Sequence, residues 1–274
     1  MEPEVSTRYV TADSLLYAVA HRPWLPPYGP WALSYNWNDA LFVHYALPPE
    51  VVRPLLPAPL SLDVFGGSAW VSAVALRVNR LRWNGTPAIP FVSSFPLLAL
   101  RTYVTLGDRP GIYCFSFDVA SLSAIWFARL FLHLPYWHAR MRMVGSAPTR
   151  GEGPQGAGEE EYEFSSRRLR GPRAGQQMPG FRAVYSALGE PFTPRSGTLE
   201  RFLLDRYCYY SSHRGRIYRC HSHHLPCSVQ GARALVENRG IAEAAGLALP
   251  ERPTAAHYGQ SLRLLIWAAE RVSG

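Results

Sequence analysis

The sequence predicts a mainly β chain, a β-rich α+β protein built as one antiparallel barrel or sandwich. Many short β-type runs are punctuated by glycine and proline, helix candidates are few, and no internal repeat is visible. A composition of 47% hydrophobic and 13% aromatic residues is ample for a sizeable core.

Read in order, Ser14 to Ala20 is apolar enough for a short helix ending at His21-Arg22-Pro23, where proline bars continuation. Residues 1–20 are therefore expected to form an N-terminal arm and 21–274 a single β-barrel domain. From Trp31 the β-type runs are Ala32 to Trp37, Leu60 to Phe65, Ala69 to Val78, Leu97 to Leu106 and Ile112 to Val119. Asp63 to Val71 reads as strand, Gly66-Gly67 turn, strand, because paired glycines supply the positive φ of a tight hairpin. Asn38 to Val43 reads as a helical turn and Pro48 to Leu56 as a second. Ser121 to Leu134, with Ser121 as N-cap and Pro135 just past its end, is apolar on most sides and is expected as a buried helix. Gly145 to Gly158 reads as a loop between hairpin strands Arg140 to Val144 and Glu161 to Arg168. Strands at Arg182 to Ser186, Tyr207 to Ser211, Arg216 to His221 and His257 to Trp267 follow, with short helices at Leu199 to Asp205 and Ile241 to Ala245.

All 28 basic residues are arginine, set against 20 acidic ones for a net charge of +8. Apart from Arg167, Arg168, Arg170 and Arg173 they are scattered, which argues for a solvated surface and against nucleic-acid binding. Four widely spread cysteines are too few for a disulfide framework in a chain this long, so reduced thiols are expected. Met1 to Asp13 is polar and acidic, unlike a signal peptide, and the apolar stretch Leu122 to Trp137 is broken by Arg129, His133 and Pro135. A cytoplasmic protein with no membrane partner is the expectation.

Several strings in fixed order carry a resemblance. They are Trp37-Asn38-Asp39-Ala40-Leu41-Phe42-Val43-His44-Tyr45, the hairpin Asp63 to Val71, Arg101-Thr102-Tyr103-Val104, Pro110 to Asp118, Leu134-Pro135-Tyr136, Gly197 to Leu203 and His223-His224-Leu225-Pro226. Over about His21 to Trp267 the chain resembles the YqjF-like bacterial family (DUF 2071) of the acetoacetate decarboxylase-like superfamily. The resemblance implies an antiparallel β cone or barrel with a central cavity, often in a homo-oligomer, with a few short peripheral helices and one buried one. It does not imply decarboxylation: the namesake enzyme forms a Schiff base through a lysine, and this chain has none. Similar members commonly carry Glu and Asn just before the Arg-Thr-Tyr-Val string, where this chain has Leu97 and Ala99.

Arg101 and Tyr103 lie two apart on a strand, so both point to one face. Facing a cavity, they would set a guanidinium fork and a phenol around a carboxylate. Arg140 shares a face with His138 and Tyr136, and a histidine beside an arginine is a candidate base with a lowered pKa, although a packed histidine bonded to a backbone carbonyl is the commoner case. His44 is a candidate proton donor to a substrate oxygen, against the plain reading of a core histidine beside Phe42. Asp118 could orient an arginine, or simply cap the helix that follows. In Cys220-His221-Ser222-His223-His224-Leu225-Pro226-Cys227, strand alternation separates the donors, so a metal site would need a turn and outside ligands. The paired Cys-x-x-Cys signature of a zinc site is absent, so no metal is expected, and without phosphate-loop, nucleophile-elbow or metalloprotease motifs no nucleotide cofactor is expected. His224 is kept as a ligand-binding candidate with Arg101, Arg140 and Asp118, while His44, Tyr103 and His138 are the catalytic candidates.

These residues suit a barrel that holds a small anionic carbonyl or carboxylate compound and moves protons on it, as in enolisation, dehydration or cyclisation, without an amine. A noncatalytic ligand sensor on an enzyme-derived fold and a metal-dependent enzyme built on the His-Cys cluster are the alternatives.

Overall fold

The computed structural model describes residues 11–88, 93–122, 125, 133–145, 160–170 and 178–272. Its strands in chain order are β1 (Leu33–Leu47), β2 (Ser61–Leu62), β3 (Val64–Phe65), β4 (Ser68–Trp83), β5 (Phe95–Leu106), β6 (Arg109–Val119) and β7 (Tyr136–Gly145). They continue as β8 (Glu161–Arg168), β9 (Gly180–Phe192), β10 (Cys208–His213), β11 (Arg216–His223), β12 (Val229–Arg239), β13 (Ala255–Ile266) and β14 (Glu270–Val272). Short helices occupy Ala12–Tyr17, Pro49–Val52 and Leu199–Leu204. None of the described helices is long and apolar enough to cross a membrane.

Five strands in the order β13-β1-β4-β5-β6 pair antiparallel and form the spine. Both outer edges of this spine are divided. The free edge of β6 takes β10 at Ile112 and Tyr113, then β7 from Phe117 to Val119. The free edge of β13 takes β12 at His257 and Tyr258, then β11 at Leu265 and Ile266. The β10–β11 pair therefore closes one ring, and β7-β8-β9-β12 closes another. The result is a cone-like barrel with two compartments on opposite faces of a shared sheet.

Alternation along each strand distributes the core between these compartments. On β4, Trp70, Val74 and Leu76 join one cluster, while Val71, Ala73 and Ala75 join the other. Because both faces are buried, the segment reads as a continuous apolar run instead of an alternating one. The Leu199–Leu204 helix, started by the Thr198 hydroxyl accepting from the Arg201 amide, lays Leu203 and Leu204 onto the first compartment.

The Gly66-Gly67 hairpin forms as expected, with φ of 61° and 78° and Val64 opposite Ala69. The pairing of Arg140 to Val144 with Glu161 to Arg168 also forms. Asn38 to Val43 is corrected: it is strand, not helical turn. Asp39 adopts φ 52° at a register shift between Asn38 and Leu41, a β-bulge that a short polar side chain tolerates. Ile241 to Ala245 shrinks to a 3-10 turn at Glu243–Ala245, ended by Gly246 at φ 80°. Strand β12 leaves no clear mark in the sequence, since Ala232 and Ala234 on its inner face are weak strand formers. The expected helix Ser121 to Leu134 and the loop between the β7 and β8 hairpin strands lie largely outside the described residues.

Candidate functional site

Strand register places His44, Ser72, Arg101 and Cys114 in one row across β1, β4, β5 and β6. Tyr103 stands two residues along β5 from Arg101, on the same face, so the strand period of two assembles the group on the first compartment's side. His44 and Ser72 are fully buried, and Arg101 is 5% exposed.

Hydrogen bonds connect the row. Ser72 Oγ lies 2.7 Å from His44 Nδ1 and 2.7 Å from the Tyr103 hydroxyl. The Tyr103 hydroxyl donates to the Leu203 carbonyl at 3.1 Å, and Arg101 Nη2 donates to the same oxygen at 3.2 Å. A carbonyl can only accept, which fixes the polarity of the chain. Tyr103 donates to Leu203, Ser72 to Tyr103, and His44 Nδ1–H to Ser72. The basic lone pair of His44 then resides on Nε2, which is buried without a partner among the described residues. Burial, the nearby His257 and Arg101 push this imidazole well below its ordinary pKa, so it stays neutral. The His257 ring lies 5.3 Å from that of His44, and its Nδ1 is likewise buried and unpartnered.

Arg101 also lines a narrow cavity with about 40 Å³ of free space, room for a few water molecules. Five aromatic rings, Tyr35, Trp37, Phe117, Tyr136 and Tyr209, make much of the wall, with Phe117 and Tyr136 stacked at 4.9 Å. Leu97 and Ala99 face the same space. Burial raises the phenols of Tyr35, Tyr136 and Tyr209 above their ordinary range, and they remain protonated. Among the described residues the guanidinium of Arg101 has one hydrogen-bond partner, the Leu203 carbonyl, while its Nε is buried and unpartnered.

The other candidates lie elsewhere. Arg140 is exposed on β7, directly opposite Arg167. His138, half-buried on the same strand, is absent from the cavity lining, and its carbonyl accepts from the Leu169 amide at 3.0 Å. Asp118 is fully buried and paired with Arg168, whose Nε donates to Oδ1 at 2.9 Å. Burial outweighs that pairing and raises the Asp118 carboxyl to about 6. His224 is buried beyond the end of β11, with Nδ1 donating to the Leu225 carbonyl at 2.7 Å; burial lowers it to about 4. Its nearest ligand-type neighbours are Asp205 and Cys227, whose donor atoms lie with its own within 4.8 Å of one another. Asp205 is already paired with Arg201, and burial keeps the Cys227 thiol protonated. That set offers a cation weak ligands as it stands.

Three of the seven candidates, His44, Arg101 and Tyr103, are thus gathered into one cluster. Ser72, His257 and the Leu203 carbonyl were missed. Ser72 was recoverable from the β1–β4 register, whereas the carbonyl carries no side-chain signal.

A β cone enclosing a cavity is the fold of the acetoacetate decarboxylase-like class. The fold is similar to an acetoacetate decarboxylase-like enzyme from Sphingomonas wittichii RW1, with a TM-score of 0.59 and 17% identity over 98% of this chain and 99% of that one. It is also similar to the enduracididine biosynthesis enzyme MppR complexed with the condensation product of pyruvate and imidazole 4-carboxaldehyde, with a TM-score of 0.60 and 12% identity over 89% and 90% of the two chains. The chain belongs to the DUF2071 family, described as an uncharacterized conserved protein, whose model matches residues 34–263. It is 33% identical over 247 residues to the uncharacterized protein YqjF of Bacillus subtilis (strain 168), covering 90% of this chain and 95% of the relative.

Proposed function

We propose that the chain binds a small anionic carbonyl or carboxylate compound in the first-compartment cavity and performs proton-transfer chemistry on it without a Schiff base. The carrying observation is Arg101, a buried guanidinium in the cavity wall whose one described partner is a neutral carbonyl. A buried cation without a counter-charge is costly, and a ligand carboxylate relieves that cost with a charge-assisted bond. Structural neighbours bound to pyruvate or a pyruvate condensation product support a ligand of this kind.

In the proposed step, the ligand reaches past Arg101 to His44, which stands two strands from Arg101 in the row and outside the described cavity lining. His44 Nε2 takes the proton from a carbon beside the ligand's carbonyl. The C–H pair becomes the enolate π bond, and negative charge gathers on the oxygen held by Arg101. The Ser72–Tyr103 chain holds the imidazole in the tautomer that leaves Nε2 free. No lysine takes part, because the chain contains none.

The test is proton exchange at the methyl group of pyruvate in deuterated water, followed by NMR with wild type and with His44→Gln. Exchange that the substitution abolishes supports the enzyme. Pyruvate that binds in an Arg101-dependent manner without exchanging supports the noncatalytic sensor, and pyruvate that ignores Arg101→Gln overturns both. The Asp205, His224 and Cys227 grouping keeps a metal-dependent reading as the second alternative, and elemental analysis without stoichiometric metal removes it. Native mass spectrometry tests the homo-oligomer.

A further inference from the structure

We infer that the cavity is built for a monocarboxylate with an apolar body about the size of one aromatic ring, an inference that rests on the Arg101 anchor proposed above. The balance of charge in the wall defines this class. Among the described cavity-lining residues Arg101 alone carries a formal charge, and no carboxylate or histidine is among them. The two lining thiols do not add one, since burial lifts Cys114 to about 12 and Cys220 further still. One positive charge meets one negative charge.

A second anionic group on the ligand would lie against rings and aliphatic side chains with no counter-ion, and burying an unpaired charge is strongly unfavourable. Hydroxyl-rich bodies fare poorly for a related reason. Beyond Arg101 the polar atoms of the described lining are three phenol hydroxyls, the Trp37 indole N–H and two thiols, and the Trp37 and Tyr209 side chains already direct hydrogen bonds at the Tyr35 oxygen. Sugar-like hydroxyls would exchange water for surfaces that return few hydrogen bonds.

The remaining wall favours flat apolar matter. Phe117 and Tyr136 already stack at 4.9 Å, and Trp37 and Tyr209 add further ring faces against which a planar group can pack. Leu97 and Ala99 stand on the same strand as Arg101 and keep that stretch of wall free of acid or amide groups. The free space, about 40 Å³, bounds the apolar body from above: no more than a single small ring packed tightly against the wall.

The experiment is isothermal titration of the full chain with phenylacetate, acetate, phenylmalonate and 2-phenylacetamide, repeated with Arg101→Gln. These probes keep the ring, remove it, add a second carboxylate and neutralise the first, respectively. Phenylacetate is expected to bind about tenfold or more tighter than each of the other three. Acetate or phenylmalonate binding as tightly as phenylacetate, with all binding lost in Arg101→Gln, overturns the apolar-body inference and leaves the anchor standing. Binding of none of the acids, or acid binding indifferent to Arg101→Gln, overturns the anchor itself. Should Arg101→Gln fail to fold, Ala99→Leu decides. It shrinks the space without touching charge and is expected to weaken phenylacetate about tenfold while sparing acetate. Equal effects on both acids overturn the inference.

Discussion

Ser72 Oγ stands 2.7 Å from both His44 Nδ1 and the Tyr103 hydroxyl, joining two residues 59 positions apart through a third that lies between them on the neighbouring strand. The polarity imposed by the Leu203 carbonyl makes His44 a donor at Nδ1. Long-range ¹⁵N–¹H NMR should report the Nδ1–H tautomer at neutral pH, and an Nε2–H tautomer would refute the assignment. Ser72→Ala should erode that preference and cost about 1–3 kcal/mol in urea unfolding, because two buried polar groups lose their partner.

Acid lability should follow from the buried histidines. His223 and His224 fall from the ordinary 6.5 to about 4 in the fold, chiefly through burial. Between those values the unfolded chain binds protons that the folded one refuses. Their contribution to stability is complete above pH 6.5 and drains away as the pH falls toward 4. Urea midpoints measured from pH 7.5 to 4.5 should decline, and His224→Gln should flatten the decline. A midpoint constant over this range contradicts the neutral buried imidazoles.

Asp118 and Arg168 form a buried strut, neither of them among the described cavity-lining residues. Asp118→Ala strands the Arg168 guanidinium and should destabilise by about 3–5 kcal/mol, whereas the double change with Arg168→Met should recover much of that loss. Calorimetry of both variants checks this, and phenylacetate affinity in the double variant should equal that of wild type.

On the outer face of the second compartment, Arg140 sits directly across from Arg167. Like charges opposite one another oppose pairing, so Arg167→Glu should raise stability by about 0.2–1 kcal/mol at low salt, with the gain shrinking in 0.5 M NaCl by screening. Ligand affinity should not change.

Local chemistry made much of the fold legible. The paired glycines at Gly66 and Gly67 wrote their hairpin into the sequence, and Arg101 with Tyr103 declared a common face through spacing alone. What escaped depended on long-range pairing. Asn38-Asp39 resembles the start of a turn, and it takes the β13 and β4 partners on either side to hold it as a bulged strand. His138 and Arg140 share a face with Tyr136 in sequence, but nothing local says that β7 leaves the cavity after Tyr136 and continues into the outer closure. Ser72 gains meaning when β4 is aligned between His44 and Arg101.

The two-faced spine has one further consequence. A shift of β4 by a single residue against β1 would turn Ser72 toward the packed second core and bring Val71 or Ala73 beneath His44, severing the link to Tyr103. Apolar side chains alone would penalise this little, since both faces of β4 are lined with similar small hydrophobes. The buried polar row therefore acts as an alignment key: the atoms proposed to handle the ligand's protons also tell the strands which of two nearly interchangeable interiors each side chain must enter.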